Sequence, residues 1–242
     1  MRILVGTSGF SYPAWKGSFY PADLATPRML SWYSRRLATV EVNNTFYRMP
    51  QPRTLGTWRG EVPPGFVFAV KAPQRITHLK RLRDVDEPVA AFFRATQELG
   101  PAMGPALFQL PPQMKRDVPR LTDFLARLPP GVQAALEFRD PSWLQDDVFA
   151  TLERHRAALV ANESETLAPP LVPTAPFGYL RLRRPEYGPA ELAAWAARIR
   201  EQPWERAFVF FKHEDEARGP RFAVALAGLV APSPEPEPAA PA

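Results

Sequence analysis

The sequence predicts one α/β domain folded as a (β/α)8 barrel of the TIM type. Eight short apolar segments recur along the chain, and most of them are separated by a stretch with helical periodicity. Strands that alternate with helices favour a parallel sheet, and eight such units can close into a barrel. Residues 1–230 also match the roughly 250 residues typical of this barrel.

The eight predicted strands are short and apolar, and each is followed by polar or turn-forming residues. In chain order they are Ile3–Gly9, Thr39–Phe46, Phe66–Pro73, Ala106–Pro111, Gln133–Arg139, Ala157–Glu163, Gly178–Arg183 and Ala207–Glu214. Barrels of this type carry their chemistry at the mouth formed by the C-terminal ends of the strands. Polar residues at those ends are therefore the first candidates for a functional site.

Helix signals lie between the strands. Asp86 is predicted to cap a helix that ends at Gly100, and Asp117 to cap another that stops at Pro129. Three further helices are indicated by apolar stripes that begin at Val148, Leu192 and Phe222.

The sixth connection lacks such a signal. Ser164–Phe177 contains four prolines, which remove backbone donors and disfavour a helix. We expect an extended Pro-rich loop in place of the sixth helix. An incomplete or distorted barrel is the structural alternative.

Composition limits the remaining possibilities. Residues 231–242 contain only Pro, Ala, Ser and Glu, which predicts a disordered tail after a domain of residues 1–230. The chain has no cysteine, which excludes thiol chemistry, and no apolar run approaches the roughly 18 residues of a membrane span. The chain begins like a strand, so we expect no signal peptide and a cytoplasmic location. The oligomeric state is left open.

Alternation along the strands selects the side chains that face the lumen. The apolar face of each strand should meet the helices, which turns the polar face inward. Strand eight is apolar on both faces and cannot be assigned. The polar residues predicted to line the lumen are Glu41, Asn43, Lys71, Gln109, Glu137, Arg139, Arg181 and Arg183.

This set contains two carboxylates and four cations, and the whole chain carries a formal charge of +5. Unpaired buried ions cost several kcal/mol each, so two cations should need a ligand. The pattern therefore predicts an anion site. The alternative is a self-satisfied network in which Glu41 and Glu137 neutralise arginines.

Two loops are expected at the same mouth. Lys71–Arg83 holds five basic residues, His78 and no acid, and Phe10–Tyr20 holds five aromatic residues. The aromatic rings either stack on bases or sugars or pack as a lid on the barrel. Lys212 and His213, at the end of strand eight, complete the predicted binding residues.

Few residues could hold a cofactor or a metal ion. There are three histidines, too few for a multinuclear zinc site. A single divalent ion held by His78 and His213 together with Glu137, Glu163 and Glu214 stays open, and we predict no cofactor. Gly6-Thr7-Ser8-Gly9 is interpreted as a turn rather than a phosphate loop, and Ser8 has no nearby histidine for a nucleophilic triad.

Ordered motifs resemble the YecE-like family, also known as domain of unknown function seventy-two. The motifs are Gly6-Thr7-Ser8-Gly9-Phe10-Ser11-Tyr12, Glu41-Val42-Asn43-Asn44-Thr45-Phe46-Tyr47, Phe68-Ala69-Val70-Lys71-Ala72-Pro73, Ile76-Thr77-His78, Phe108-Gln109-Leu110-Pro111-Pro112 and Glu137-Phe138-Arg139-Asp140-Pro141-Ser142-Trp143. The resemblance implies a TIM-type barrel and no established activity. It places the family's polar positions at Glu41, Asn43, Lys71, His78, Gln109, Glu137 and Arg139.

The chain departs from the family pattern at two places. Many members end strand seven with His-Gly, where this chain has Arg183-Arg184, and many carry Asn-Asn-Asp after strand eight, where it has Lys212-His213-Glu214. The mouth is therefore more cationic than the common pattern.

Three functions follow from these residues. The leading hypothesis is a hydrolase-like enzyme for a phosphate-bearing or nucleic-acid-like substrate, with the anion held by the lumen cations and Glu137 or Glu41 as general acid or base. The second is a non-catalytic nucleic-acid-binding protein. The third is glycoside hydrolysis by Glu41 and Glu137 as a carboxylate pair.

Overall fold

The protein is an eight-stranded parallel barrel, as predicted. This computed structural model describes residues 1–163, 170–212 and 215–231. Each strand pairs with the next, and β8 pairs with β1 to close the sheet. The strands are β1 (Arg2–Ser8), β2 (Thr39–Val42), β3 (Val67–Lys71), β4 (Met103–Gln109), β5 (Ala134–Glu137), β6 (Ala158–Glu163), β7 (Phe177–Leu182) and β8 (Arg206–Phe211).

Seven α-helices lie outside the barrel within the described ranges. They are α1 (Met29–Tyr33), α2 (Pro52–Glu61), α3 (Asp86–Thr96), α4 (Val118–Ala126), α5 (Asp146–Arg154), α6 (Pro189–Arg200) and α7 (Arg218–Val230). Asp117 caps α4 as predicted, since its carboxylate accepts a hydrogen bond from the backbone N–H of Arg120. Asp86 lies one residue inside α3, whose cap position is Val85. The chain then continues past Thr96 as a 3₁₀ segment, Gln97–Ala102.

The sixth connection contains no helix in the part that the structure describes. Residues 170–176 are irregular, and residues 164–169 lie outside the described ranges. Thr174 fastens this segment to β6: its hydroxyl donates to the carbonyl of Ala157 at 2.7 Å and accepts from the N–H of Leu159 at 2.9 Å. The predicted tail, from residue 232 onward, also lies outside the described residues, so the domain boundary stays a prediction.

The core forms two layers, and these layers show which side chains of each strand face the lumen and which face the helices. The outer layer lies between helices and barrel, and the inner layer fills the lumen. In β8, Phe208 and Phe210 face the lumen, whereas Val209 and Phe211 face the helices. Apolar residues therefore close the bottom of the lumen and leave the polar side chains to its upper end.

The aromatic first loop packs on the barrel. Trp15 and Tyr20 are buried, the other three rings are half-buried, and Trp15 contacts Phe19 and Tyr20 at centroid distances of 5.9 and 6.0 Å. Trp15 and Tyr20 therefore pack as the lid alternative expects, whereas Phe10, Tyr12 and Phe19 keep part of their surface exposed.

The segment Gly6–Gly9 is not a turn throughout, so that interpretation is wrong. Gly6, Thr7 and Ser8 belong to β1, and only Gly9 has a left-handed backbone, with φ of 91°. At Gly6 a Cβ atom would lie 1.9 Å from the carbonyl oxygen of Thr39, so the close approach of β1 and β2 requires glycine. Within the described residues, no helix has both the length and the apolar character needed to cross a bilayer.

Candidate functional site

Two buried glutamates and one arginine form the centre of the barrel mouth. Glu41 lies on β2, Glu137 ends β5, and Arg181 lies on β7 with 3% of its side chain exposed. Arg181 donates from Nη2 to Glu41 Oε1 at 2.8 Å and from Nη1 to Glu137 Oε2 at 2.5 Å. One guanidinium therefore bridges both carboxylates.

Glu41 is the more heavily hydrogen-bonded carboxylate. Its Oε1 also accepts from Ser8 Oγ and Asn43 Nδ2, each at 2.8 Å, and its Oε2 accepts from the Tyr179 hydroxyl at 2.6 Å. Burial alone would raise the pKa of Glu41, but the charge of Arg181 and these hydrogen bonds outweigh it and lower the pKa to about 2. Glu41 is thus ionised at neutral pH and poorly suited to exchange a proton.

Glu137 has fewer partners, and the polar chain continues from it toward solvent. Gln109 Nε2 donates to Glu137 Oε1 at 2.8 Å, and Lys71 Nζ donates to Gln109 Oε1 at 2.7 Å. Two donors leave part of the acceptor capacity of Glu137 unused. Its side chain is nevertheless fully buried, so the direct acid–base role expected from the sequence stays a prediction that requires Gln109 or Lys71 to move aside.

Lys71 is the half-buried end of this chain. Its ammonium group lies 4.1 Å from the centroid of the Phe46 ring and has no carboxylate partner among the described residues. Burial lowers the pKa of Lys71, the charge of Arg181 lowers it further, and the result is about 8 despite the opposing effect of Glu137 and Glu41. The amine can therefore change its protonation state close to neutral pH.

The predicted surplus of four cations over two carboxylates needs correction. Arg181 is neutralised internally by both glutamates, and Arg139 lies beyond the end of β5 with an exposed side chain rather than inside the lumen. Strand alternation does not apply to Arg139 because the strand ends at Glu137. Glu41, Glu137, Arg181 and Lys71 are formally neutral as a group, so the surplus charge lies on the rim.

Arg183 and Arg139 supply this rim charge. Arg183 follows β7, is half-buried, and has no hydrogen bond or ion pair from its side chain to any described residue. Burial lowers the pKa of Arg183 and the charge of Arg181 lowers it further, which together outweigh the opposing effect of the Glu137 and Glu41 charges. A half-buried guanidinium loses part of its hydration, and without a carboxylate partner it would be stabilised by a bound anion.

His78 lies on the same rim. It belongs to a single π-helical turn, Arg75–Leu79, and its ring contacts Phe46 at 4.8 Å with Nδ1 hydrogen-bonded to the Thr77 hydroxyl at 2.9 Å. Burial and the charges of Lys71, Arg139 and Arg81 lower the pKa of His78, which favours the neutral imidazole. Lys212 is half-buried after β8, and the predicted residue His213 lies outside the described residues.

Three residues in the network are absent from the predicted site. Ser8 and Tyr179 bind Glu41 directly, and Asn162 lies on β6 beside Arg181, its partner in strand register. Oδ1 of Asn162 and Nε of Arg181 are both buried without a hydrogen-bond partner among the described residues. Ala158 and Val160 face the lumen, so strand alternation turns Asn162 inward, but both faces of this strand are largely apolar in sequence and carried no such signal.

A cleft of about 710 Å³ opens beside this mouth, and we call it the side cleft. It lies between the first loop, the end of β2 and one face of α2. Its volume falls within the roughly 300–1,000 Å³ of small-molecule sites. Its lining residues are Gly9, Phe10, Ser11, Tyr12, Thr26, Pro27, Leu30, Val42, Asn43, Asn44, Arg53, Thr54, Thr57, Trp58 and Glu61.

The described residues offer little for a metal ion. They contain no group of three or more histidine, aspartate or glutamate side chains arranged to hold one. His213 and Glu214, which the sequence offered as possible ligands, lie outside the described ranges.

Comparison with known proteins identifies relatives along most of the chain. Residues 4–242 match the family model described as DUF72, protein of unknown function. The chain is 31% identical over 142 residues to UPF0759 protein YecE of Escherichia coli K12. That match covers 58% of this chain, and the chain spans about half the length of this curated relative.

Solved structures show the same architecture. A DUF72 family protein from Thermotoga maritima superposes with a TM-score of 0.85 at 26% identity, covering 95% of this chain and 99% of the other. A DUF72 family protein from Enterococcus faecalis superposes with a TM-score of 0.77 at 18% identity, covering 96% and 98%. The second likeness supports the fold alone.

Proposed function

We infer the chemistry from the site, because the chain belongs to the DUF72 family and the description of that family names no activity. We propose an enzyme that binds a phosphate-bearing substrate at the barrel mouth. The substrate anion would lie on Lys71 and Arg183, with Arg139 attracting it from the exposed rim. The buried glutamates and Arg181 would form the floor of the site.

The observation that carries this proposal is a pair of half-buried cations at the mouth that lack a carboxylate partner. Lys71 and Arg183 are both half-buried, and within the described residues neither side chain contacts a carboxylate. Arg181 would not contribute, since its charge is already satisfied by Glu41 and Glu137. A phosphate group offers the charge and the acceptor oxygens that two such cations favour.

Lys71 is the group that we assign to proton transfer. It lies at the accessible end of the network, and general catalysis is most efficient for a group whose pKa is close to the working pH. Glu137 raises the pKa of Lys71 through its charge, and Gln109 holds the amine in place. Glu137 therefore acts through Lys71, as a positioning residue.

The test is turnover and binding of a panel of phosphate mono- and diesters. We expect at least one ester to be cleaved, with kcat/KM reduced about 100-fold or more in Lys71→Met. Glu137→Gln should retain ester binding and shift the pH profile of kcat to lower pH, because Lys71 loses a stabilising charge. Arg94→Met, an exposed position on α3, is the matched control. A panel that is neither bound nor cleaved would contradict the proposal.

Nucleic-acid binding without catalysis is a second candidate, favoured by the exposed loop after β3. Arg75, Arg81 and Arg83 are exposed there, and Arg81 has a left-handed backbone with φ of 49°. This function predicts affinity for RNA or DNA that falls steeply with salt and is indifferent to Lys71→Met. The glycoside-hydrolase hypothesis receives no such support, since the Arg181 guanidinium bridges the two carboxylates.

A further inference from the structure

The side cleft has the chemistry of a site for a flat polar ring. Phe10, Tyr12 and Trp58 supply aromatic surface, and Phe10 contacts Trp58 edge-on at a centroid distance of 5.7 Å. All three rings are half-buried, so their remaining surface is available to a ligand. Stacking of a base on such rings strengthens binding about tenfold or more.

Most of the polar groups around these rings carry no charge, and the two charged lining residues, Arg53 and Glu61, are of opposite sign. Thr54 and Thr57 enter from α2, and Asn43 and Asn44 enter from the end of β2. The Asn44 side chain makes no hydrogen bond to any described residue, and Asn43 uses only its Nδ2 group, toward Glu41. Amide and hydroxyl groups of this kind can bond both the donors and the acceptors on the edge of a base.

The side cleft joins the cationic rim through one short turn. Asn44–Phe46 forms a 3₁₀ turn whose first residue lines the cleft and whose last residue contacts Lys71. Thr45 fixes this turn to β3, because its hydroxyl donates to the carbonyl oxygen of Lys71 at 2.7 Å. The two ends of the turn are separated by about 4 Å of helical rise.

We propose that the substrate is a nucleotide, whose base enters the side cleft and whose phosphate lies on Lys71 and Arg183. This proposal rests on the proposed function, and it adds a base and a sugar to the phosphate group of the substrate. A ring site and an anion site separated by one turn match a molecule in which a sugar links a base to a phosphate. A phosphate ester without a base would leave the aromatic cleft unfilled.

The experiment compares ligands that differ by one part of the nucleotide. Calorimetry on the full chain measures the affinity of the four ribonucleoside 5′-monophosphates, of ribose 5-phosphate and of the matching nucleosides. We expect at least one nucleotide to bind about tenfold or more tightly than ribose 5-phosphate, which corresponds to stacking of one base.

Two variants then test whether the higher affinity of the nucleotide arises in the side cleft. Thr57 is exposed on α2, so Thr57→Trp fills the cleft without disturbing the core and should abolish the advantage of the nucleotide over ribose 5-phosphate. Arg94→Trp introduces a tryptophan at an exposed position of α3 and should retain the advantage of the nucleotide over ribose 5-phosphate. The proposal is overturned if no nucleotide exceeds ribose 5-phosphate, or if Thr57→Trp leaves the advantage intact.

The two proposals fail in different ways. Ribose 5-phosphate binding that weakens in Lys71→Met, with no gain from any base, would support the anion site and overturn the nucleotide. Nucleoside binding that Thr57→Trp blocks, with no contribution from the phosphate, would support a base in the cleft and contradict the proposed function. In the second case the nucleotide proposal also fails, since it requires the phosphate on Lys71.

Discussion

At the scale of single residues, the mouth is organised around Arg181. Its guanidinium is buried between Glu41 and Glu137, and these carboxylates raise its pKa against the opposing effect of burial. Breaking a buried ion pair by removing one partner leaves an uncompensated charge, which typically costs about 3–5 kcal/mol. The network is therefore a structural requirement as well as the floor of the site.

Arg181→Met tests this requirement. We expect the free energy of unfolding to fall by about 3–5 kcal/mol, measured by urea denaturation, since two buried carboxylates lose their shared cation. Arg139→Met, which removes an exposed arginine from the same mouth, should change stability by no more than about 0.5 kcal/mol. A similarly small change for Arg181→Met would show that the bridge does not stabilise the fold.

Glu41 should make stability depend on acid pH. Its pKa is about 2 in the folded protein against an ordinary value of 4.5, so the folded state favours the ionised form. The stabilisation is present above pH 4.5 and is lost as the pH falls toward 2. Urea denaturation at several pH values should show a shallower acid decline for Glu41→Gln than for the wild type. An unchanged slope, with Glu153→Gln on α5 as the surface control, would contradict the low pKa.

The residues of the mouth were largely predictable, but their pairing was not. Strand alternation correctly predicted which polar side chains face inward where the residues lie on the strands themselves. These residues are Glu41, Lys71, Gln109, Glu137 and Arg181. Alternation failed at Arg139, where the strand had already ended. Counting charges could not show that one arginine neutralises two acids, since this depends on distances across the lumen between β2, β5 and β7.

At the scale of elements, strong local signals determined some boundaries. At the start of α4, the carboxylate of Asp117 accepts a hydrogen bond from the N–H of Arg120, and Pro119 has no N–H that would need an acceptor. The π-helical turn Arg75–Leu79 had no comparable signal, because a π-turn depends on the packing around it rather than on residue periodicity.

Asp117→Ala should destabilise the protein by about 1 kcal/mol, the usual cost of losing a side-chain cap. Asp123, near the C-terminal end of α4, is the matched control because it is exposed and lies 3.6 Å from Arg127 in a surface ion pair. Thermal denaturation should distinguish Asp117→Ala from Asp123→Ala, whose change should be several tenths of a kcal/mol at most. Equal effects of the two substitutions would mean that the cap does not contribute.

At the scale of the whole molecule, the residues that stabilise the barrel and those proposed to bind a ligand lie at different depths along the barrel axis. Apolar side chains such as Phe208 and Phe210 fill the lower lumen, a formally neutral network covers them, and cations without carboxylate partners among the described residues lie above it. The fold class followed from the sequence because eight units repeat. The side cleft did not, since it forms where the first loop and α2 meet, far apart in the chain.

We propose above all that Lys71, at the accessible end of this network, binds the substrate anion. The most direct measurement is the affinity for a phosphate monoester between about pH 7 and pH 9.5, where the ester is already largely a dianion. Since the pKa of Lys71 is about 8, affinity should fall as the pH rises through that value, and the fall should be absent in Lys71→Met. Affinity that is independent of pH, or that falls equally in Lys71→Met, would contradict the account.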